Sequence, residues 1–143
     1  MEVKTERFFE VKVESLDQFG KKHTDALAIG AISFTEAETK ATEYAAPLHE
    51  NFRVVSESIA SYGEVAFDFD NEDADTWFKV KLGYITIDEM TQKEKMSSQY
   101  MLVQAENFES ARKAVNEIMY GSLMDWKILR IEETKIIDVL TSI

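Results

Sequence analysis

Residues suited to chemistry gather on one stretch of this chain, Thr76-Trp77-Phe78-Lys79-Val80-Lys81-Leu82. Apolar Phe78, Val80 and Leu82 alternate with Trp77, Lys79 and Lys81. That is the period-two pattern of a half-buried strand, so an indole and two ammonium groups share the opposite face. An exposed indole beside two cations suits stacking on a base with contacts to phosphate, the combination by which sheet and barrel folds hold single-stranded nucleic acid. Arg7-Phe8-Phe9-Glu10-Val11-Lys12-Val13 repeats the pattern, with Phe8 and Lys12 on the corresponding face, and Lys93 and Lys95 return across the hairpin after the second stretch. The same pattern also serves a structural purpose, with Trp77 packed beneath a helix or in a dimer seam and the lysines guarding an edge strand.

Other chemistry finds little support. The chain has no Gly-rich phosphate loop, no Gly-x-Ser-x-Gly elbow and no His-Glu-x-x-His helix. It has no Cys, which excludes disulfides, thiolate zinc sites and a Cys nucleophile. His23 and His49 stand apart in loop regions and read as solvated polar residues. The acid run Asp68-Phe69-Asp70-Asn71-Glu72-Asp73-Ala74-Asp75 fails as a calcium loop, because its sixth position is Asp73 where Gly is needed and its twelfth is Lys79 where Glu is needed. It reads as a solvated acidic joint, with charge density enough to imitate nucleic-acid phosphates toward a basic partner. The expectation is a protein that is not an enzyme and uses neither cofactor nor metal.

The elements that must position these residues occur twice. Each of the two stretches opens a hairpin, turning through Leu16-Asp17-Gln18-Phe19-Gly20-Lys21 and through Asp88-Glu89-Met90-Thr91-Gln92-Lys93. The returning strands align Leu27, Ile29 and Ala31 with Met101, Val103 and Ala105, and Ala28 and Leu102 make their other faces apolar, which marks central strands. Ser33-Phe34-Thr35-Glu36 is a capping box, and Asn107 offers the equivalent cap before Phe108. Phe34, Ala37, Ala41, Tyr44 and Ala45 recur at helical spacing and match Phe108, Ala111, Val115, Ile118 and Met119 as core stripes. Pro47 and Gly121 lie where the helices should stop. Phe52-Arg53-Val54-Val55 then matches Trp126-Lys127-Ile128-Leu129, and Gly63-Glu64-Val65-Ala66 matches Ile137-Asp138-Val139-Leu140. The polar middles Ser56-Glu57-Ser58 and Arg130-Ile131-Glu132 suggest a bulge or break in each third strand.

Composition agrees. A chain of 143 residues with 45% apolar content fills one core, and the formal net charge of −11 opposes a generic phosphate-backbone binder. Residues 8–67 hold ten acids and five bases, residues 68–75 five acids and no base, and residues 77–143 ten acids and nine bases, so any attraction to nucleic acid belongs to the second half. No apolar run reaches membrane-spanning length, and the start Met-Glu-Val-Lys-Thr-Glu-Arg is too charged for a secretory leader.

At Trp77-Phe78-Lys79-Val80-Lys81, Ser33-Phe34-Thr35-Glu36-Ala37-Glu38, Tyr100-Met101-Leu102-Val103-Gln104-Ala105 and Ile136-Ile137-Asp138-Val139-Leu140, the chain resembles a domain-of-unknown-function family of small proteins from anaerobic gut bacteria and their tailed, crAss-like phages. The likeness covers nearly the whole chain, and one departure is Phe8, where the family usually has Trp. The resemblance implies a small cytoplasmic protein of phage or mobile-element setting and brings no mechanism.

Together these readings predict one α+β domain over 1–143, an internal duplication of a β-β-α-β unit with an antiparallel sheet packed against two helices. Repeat one covers about 8–67, the acidic joint 68–75 and repeat two about 77–141. The expected function is an accessory protein binding single-stranded nucleic acid through Trp77, Lys79, Lys81, Phe8 and Lys12. The alternative is an acidic interaction or inhibitory module acting on a host or phage protein. No membrane partner is expected, and the apolar outer faces of the middle strands are compatible with a homodimer.

Overall fold

Alternating apolar side chains draw Phe8–Leu16 and Lys22–Gly30 into a hairpin, and Thr76–Ile87 and Glu94–Ala105 into a second. The computed structural model describes residues 1–142. In chain order its elements are β1 (Glu2–Thr5), β2 (Phe8–Leu16), β3 (Lys22–Gly30), α1 (Phe34–Ala45), β4 (Phe52–Ile59), β5 (Tyr62–Phe67), β6 (Thr76–Ile87), β7 (Glu94–Ala105), α2 (Phe108–Met119), β8 (Asp125–Glu133) and β9 (Ile136–Leu140). Among the described residues this is a mixed α+β arrangement of nine strands in two sheets with two helices.

The chain divides into two compact units. The first comprises Lys4–Gly63 and the residues from Lys135 onward, and the second Met1–Val3 and Glu64–Thr134. In the first unit the sheet runs β4-β2-β3-β9. Phe9, Val11 and Val13 of β2 and Leu27 and Ile29 of β3 meet the small stripe Ala37, Ala41 and Ala45 of α1. In the second unit the sheet runs β1-β5-β7-β6-β8. Val80, Leu82, Met101 and Val103 pack with Ala114 and Val115 of α2, and Phe78 and Ala105 pack with Ala111. β3 and β7 are inner strands, as their two apolar faces require, and Ala28 and Leu102 are fully buried.

Local chemistry sets the ends of these elements. Ser33 Oγ accepts from the Glu36 amide at 3.1 Å and Asn107 Oδ1 from the Ser110 amide at 2.9 Å, each satisfying a donor of the first helical turn. Phe34 and Phe108 lie half-exposed at those helix starts, edge-on to Phe9 and Phe78, both at 4.9 Å. In the hairpin turns Asp17 Oδ1 accepts from the Phe19 and Lys21 amides, and Asp88 Oδ1 from those of Met90 and Thr91. Gly20 and Gln92 take the left-handed conformation those turns need.

The bulge expected in each third strand is present. Opposite β2, the register of β4 jumps from Val54 to Ser56, and opposite β6, that of β8 jumps from Ile128 to Arg130, so Val55 and Leu129 are the extra residues.

The single antiparallel sheet expected from sequence is corrected. There are two sheets, each with its own helix, and β9 pairs parallel with β3, Ala28 opposite Val139. The strand after β8 completes the sheet of β2–β4, and the strand after β4 lies beside β7 in the sheet of β6–β8. Period-two patterning fixes which face of a strand is buried but not which strand it joins. β1 went unpredicted because Glu-Val-Lys-Thr has no second apolar position to set a face. Among the described residues no helix is long and apolar enough to cross a membrane.

Candidate functional site

Alternation places Trp77 opposite Phe78 as expected, but the indole is only 3% exposed, so the exposed stacking platform predicted from sequence is corrected. Phe67 of β5 meets it edge-on at 5.4 Å, and Phe69 stacks on Phe67 at 5.0 Å. The Trp77 carbonyl accepts from the Thr134 amide and hydroxyl at 2.9 and 2.8 Å. Phe8 is 1% exposed and lies tilted against Tyr62 at 6.0 Å. The pattern of one strand does not report what covers its second face, and here both aromatics are core.

The cations fare differently. Lys79 and Lys81 are half-buried on the outer face of β6, and each ammonium lies 5.9 Å from the centre of the Tyr100 ring on β7, where Lys81 and Tyr100 are direct cross-strand partners. Lys12 is exposed on β2 in the first unit, beside Phe8's strand-mates but without an aromatic platform of its own. Lys93 and Lys95 are exposed near the hairpin tip.

Sequence reasoning missed a larger feature in the second unit. A groove of about 690 Å³ runs between the N-terminal half of α2 and β8, lined by Phe108, Glu109, Arg112, Lys113 and Ile128–Ile131. The Asn107 cap starts the helix so that Arg112 and Lys113 fall on its exposed side, while Ala111, Ala114 and Val115 hold it to the sheet. Neither cation forms an ion pair among the described residues, and Arg130 meets Glu132 at 3.0 Å on the surface, an exposed pair of little strength. Among the described residues β8 neighbours only β6, so its far side presents backbone donors and acceptors with no strand beside them along the groove. The bulge turns Leu129 toward Gly83, where an added Cβ would lie 3.0 Å from Leu129 Cδ1. In sequence the three cations are scattered over a helix and a strand, and no spacing rule joins them.

The first unit places opposite charge at the matching positions. Glu38 and Glu43, with Thr35, Thr39 and Thr42, line a smaller hollow of about 280 Å³ on α1. Glu57 of β4 pairs with Val11 on the helix-facing side, where β8 has Ile131 opposite Val80. Burial, and then the nearby Glu38 carboxylate, push the Glu57 carboxyl above its ordinary range. Its Oε1 is buried without a hydrogen-bond partner among the described residues. β4, like β8, is the outermost strand of its sheet.

The histidines stay at the surface, His23 with its Nε2 3.0 Å from Asp17 Oδ2. That hydrogen bond first, and the Lys21 amide next, hold the Asp17 carboxyl below the usual range. Among the described residues no group of three or more His, Asp or Glu side chains is placed to hold a metal ion.

Residues 7–142 match the model of one protein family, a domain of unknown function (DUF4494). No curated protein and no solved structure matches the chain.

Proposed function

We propose, from the premise that the chain belongs to the DUF4494 family, that it is a non-enzymatic binding module that takes an acidic, extended protein segment along the open edge of β8. The observation that carries this reading is the juxtaposition of Arg112 and Lys113 with that unpaired edge in one groove. An added strand gains main-chain hydrogen bonds from β8, its alternate side chains on the helix side reach Phe108, Ile128 and Ile131, and Arg112 and Lys113 select carboxylates among them. The overall charge of −11 opposes acidic ligands over the surface at large, so local cations such as Arg112 and Lys113 are needed to hold one.

The test is the binding of a labelled peptide of alternating Glu and Val, followed by fluorescence anisotropy. Binding at low salt that weakens at high salt is expected, with a further loss of about tenfold on Arg112→Glu/Lys113→Glu. A peptide of alternating Lys and Val that binds equally well, or no binding of the acidic one, sinks the proposal.

A second reading rests on Tyr100 between Lys79 and Lys81. Single-stranded nucleic acid could stack on that ring in place of Trp77, with phosphates on the two lysines. Tyr100→Ala would then abolish a salt-sensitive affinity for labelled single-stranded DNA.

The recurrence of caps at Ser33 and Asn107 and of bulges at Val55 and Leu129, each pair 74 residues apart, supports a duplicated ancestral unit. The resemblance noted in the sequence supports a phage or mobile-element setting, and the lack of Cys supports a reducing compartment such as the cytoplasm.

A further inference from the structure

We propose that the acidic strand taken by the β8 groove is β4 of a second copy of this chain, so that copies associate head to tail through an antiparallel β8–β4 seam. This rests on the reading above and adds the partner's identity. β4 and β8 are both outermost strands, and each carries its bulge at the matching position, Val55 and Leu129. Edges with bulges at matching positions are thus bordered by opposite charge. Where the helix side of the β8 groove has Arg112 and Lys113, that of the β4 edge has Glu38 and Thr39, with Glu43 further along α1 and Glu57 in place of Ile131.

Joining two like edges antiparallel relates them by an approximate two-fold axis, which brings α2 of one copy opposite α1 of the other on the same side of the seam. Arg112 and Lys113 then meet Glu38 and Glu43. Pairing β8 with β8 would set cations against cations, and pairing β4 with β4 would set carboxylates against carboxylates, so the charges select the mixed seam.

Glu57 supplies an independent observation. Its buried Oε1 lacks a partner among the described residues and lies near Glu38, and a buried oxygen of this kind calls for an explanation. A guanidinium delivered by a second copy gives both carboxylates a counter-charge. Each bulge shortens the straight run of strand beside it, so the main-chain ladder is short and the association depends on charge. Every copy keeps one free β8 and one free β4, and the contact is heterologous.

The test is sedimentation velocity on the full chain over a range of concentrations. At low salt the mass is expected to rise above that of one 16.4 kDa chain, and at high salt to return to it. Arg112→Glu/Lys113→Glu and, separately, Glu38→Gln/Glu57→Ile should each weaken association about tenfold or more while circular dichroism shows each folded. The first variant keeps its β4 edge and the second its β8 groove, so mixing the two should give pairs and nothing larger. Association that survives in both variants, or a mixture that fails to pair or grows past two copies, overturns the seam. A wild-type chain that stays single at every concentration while the Glu–Val peptide still binds overturns the seam and leaves the groove reading standing. If the peptide fails as well, both fall.

Discussion

Tyr62 shows how one buried polar group ties the stability of the first unit to pH. Burial first, and then the Glu10 carboxylate 3.1 Å from its hydroxyl, push the phenol far above its ordinary range. In the unfolded chain a tyrosine ionises near about pH 10. The folded pKa is therefore raised above the unfolded one, so the stabilisation is complete below about pH 10 and is lost as pH rises past it, by about 1.4 kcal/mol per unit. Urea titrations at increasing alkaline pH should show the unfolding midpoint fall, and Tyr62→Phe should make that fall shallower. Tyr44 and Tyr84, raised chiefly by burial as well, keep the variant's limb from becoming flat. Below about pH 9 the same substitution should cost roughly 1 kcal/mol, the hydrogen bond to Glu10. A variant whose alkaline limb matches that of the wild-type chain would show that Tyr62 does not remain neutral in the fold. Trp77 and Phe8 teach a related lesson about single residues. Their place opposite Phe78 and Phe9 follows from alternation, yet their burial depends on Phe67, ten residues before Trp77, and on Tyr62, more than fifty residues after Phe8.

At the scale of elements, the helices depend on caps that the sequence displays openly. Ser33→Ala and Asn107→Ala each remove an acceptor from a first-turn amide, and each should lower stability by about 1 kcal/mol, read as a shift in the urea midpoint without a change in slope. Ser33→Asp should retain most of the lost stability, because a carboxylate accepts from the same amide and favours the helix N-terminus. Loss on Ser33→Ala that Ser33→Asp does not recover would point to packing at Phe34 instead. Strands, turns, caps and bulges were legible because each is written in neighbouring residues: alternation at Phe9, Val11 and Val13, Asp17 and Asp88 at the turns, Ser33 and Asn107 before the helices. The sheet partners were not legible, since β9 joins β3 across more than a hundred residues of chain and no local pattern encodes that choice. The candidate site was half legible. Lys79 and Lys81 were found with their true face, whereas the groove needed α2 to be laid beside β8 before Arg112 and Lys113 came beside Ile128 and Ile131.

At the scale of the whole molecule, neither half of the sequence contains a complete sheet. β3 receives β9 from the end of the second half, and β7 is flanked by β5 from the end of the first. β9 contributes buried Ile136 and Val139, and β5 contributes buried Val65, Ala66 and Phe67, so each exchanged strand brings core as well as hydrogen bonds. A cut within the acidic run 68–75 separates fragments 1–72 and 73–143, each holding the strand the other needs. Alone, each leaves an inner strand with an open edge and an apolar face uncovered, and burial of that kind is worth about 25 cal/mol per Å². Fragment 1–72 and fragment 73–143, expressed separately, should therefore lack a cooperative urea transition. Mixed at equal concentration they should regain one, at a midpoint that rises with concentration because folding has become bimolecular. The acidic run is a chain of turns at the surface, with Asn71 and Ala74 amides bonded to Asp68 and Asn71 carbonyls, so cutting there removes no strand. Cooperative unfolding of fragment 1–72 by itself would mean that β2, β3, β4 and α1 hold together without β9, and that the exchange of last strands decorates the first unit instead of completing it.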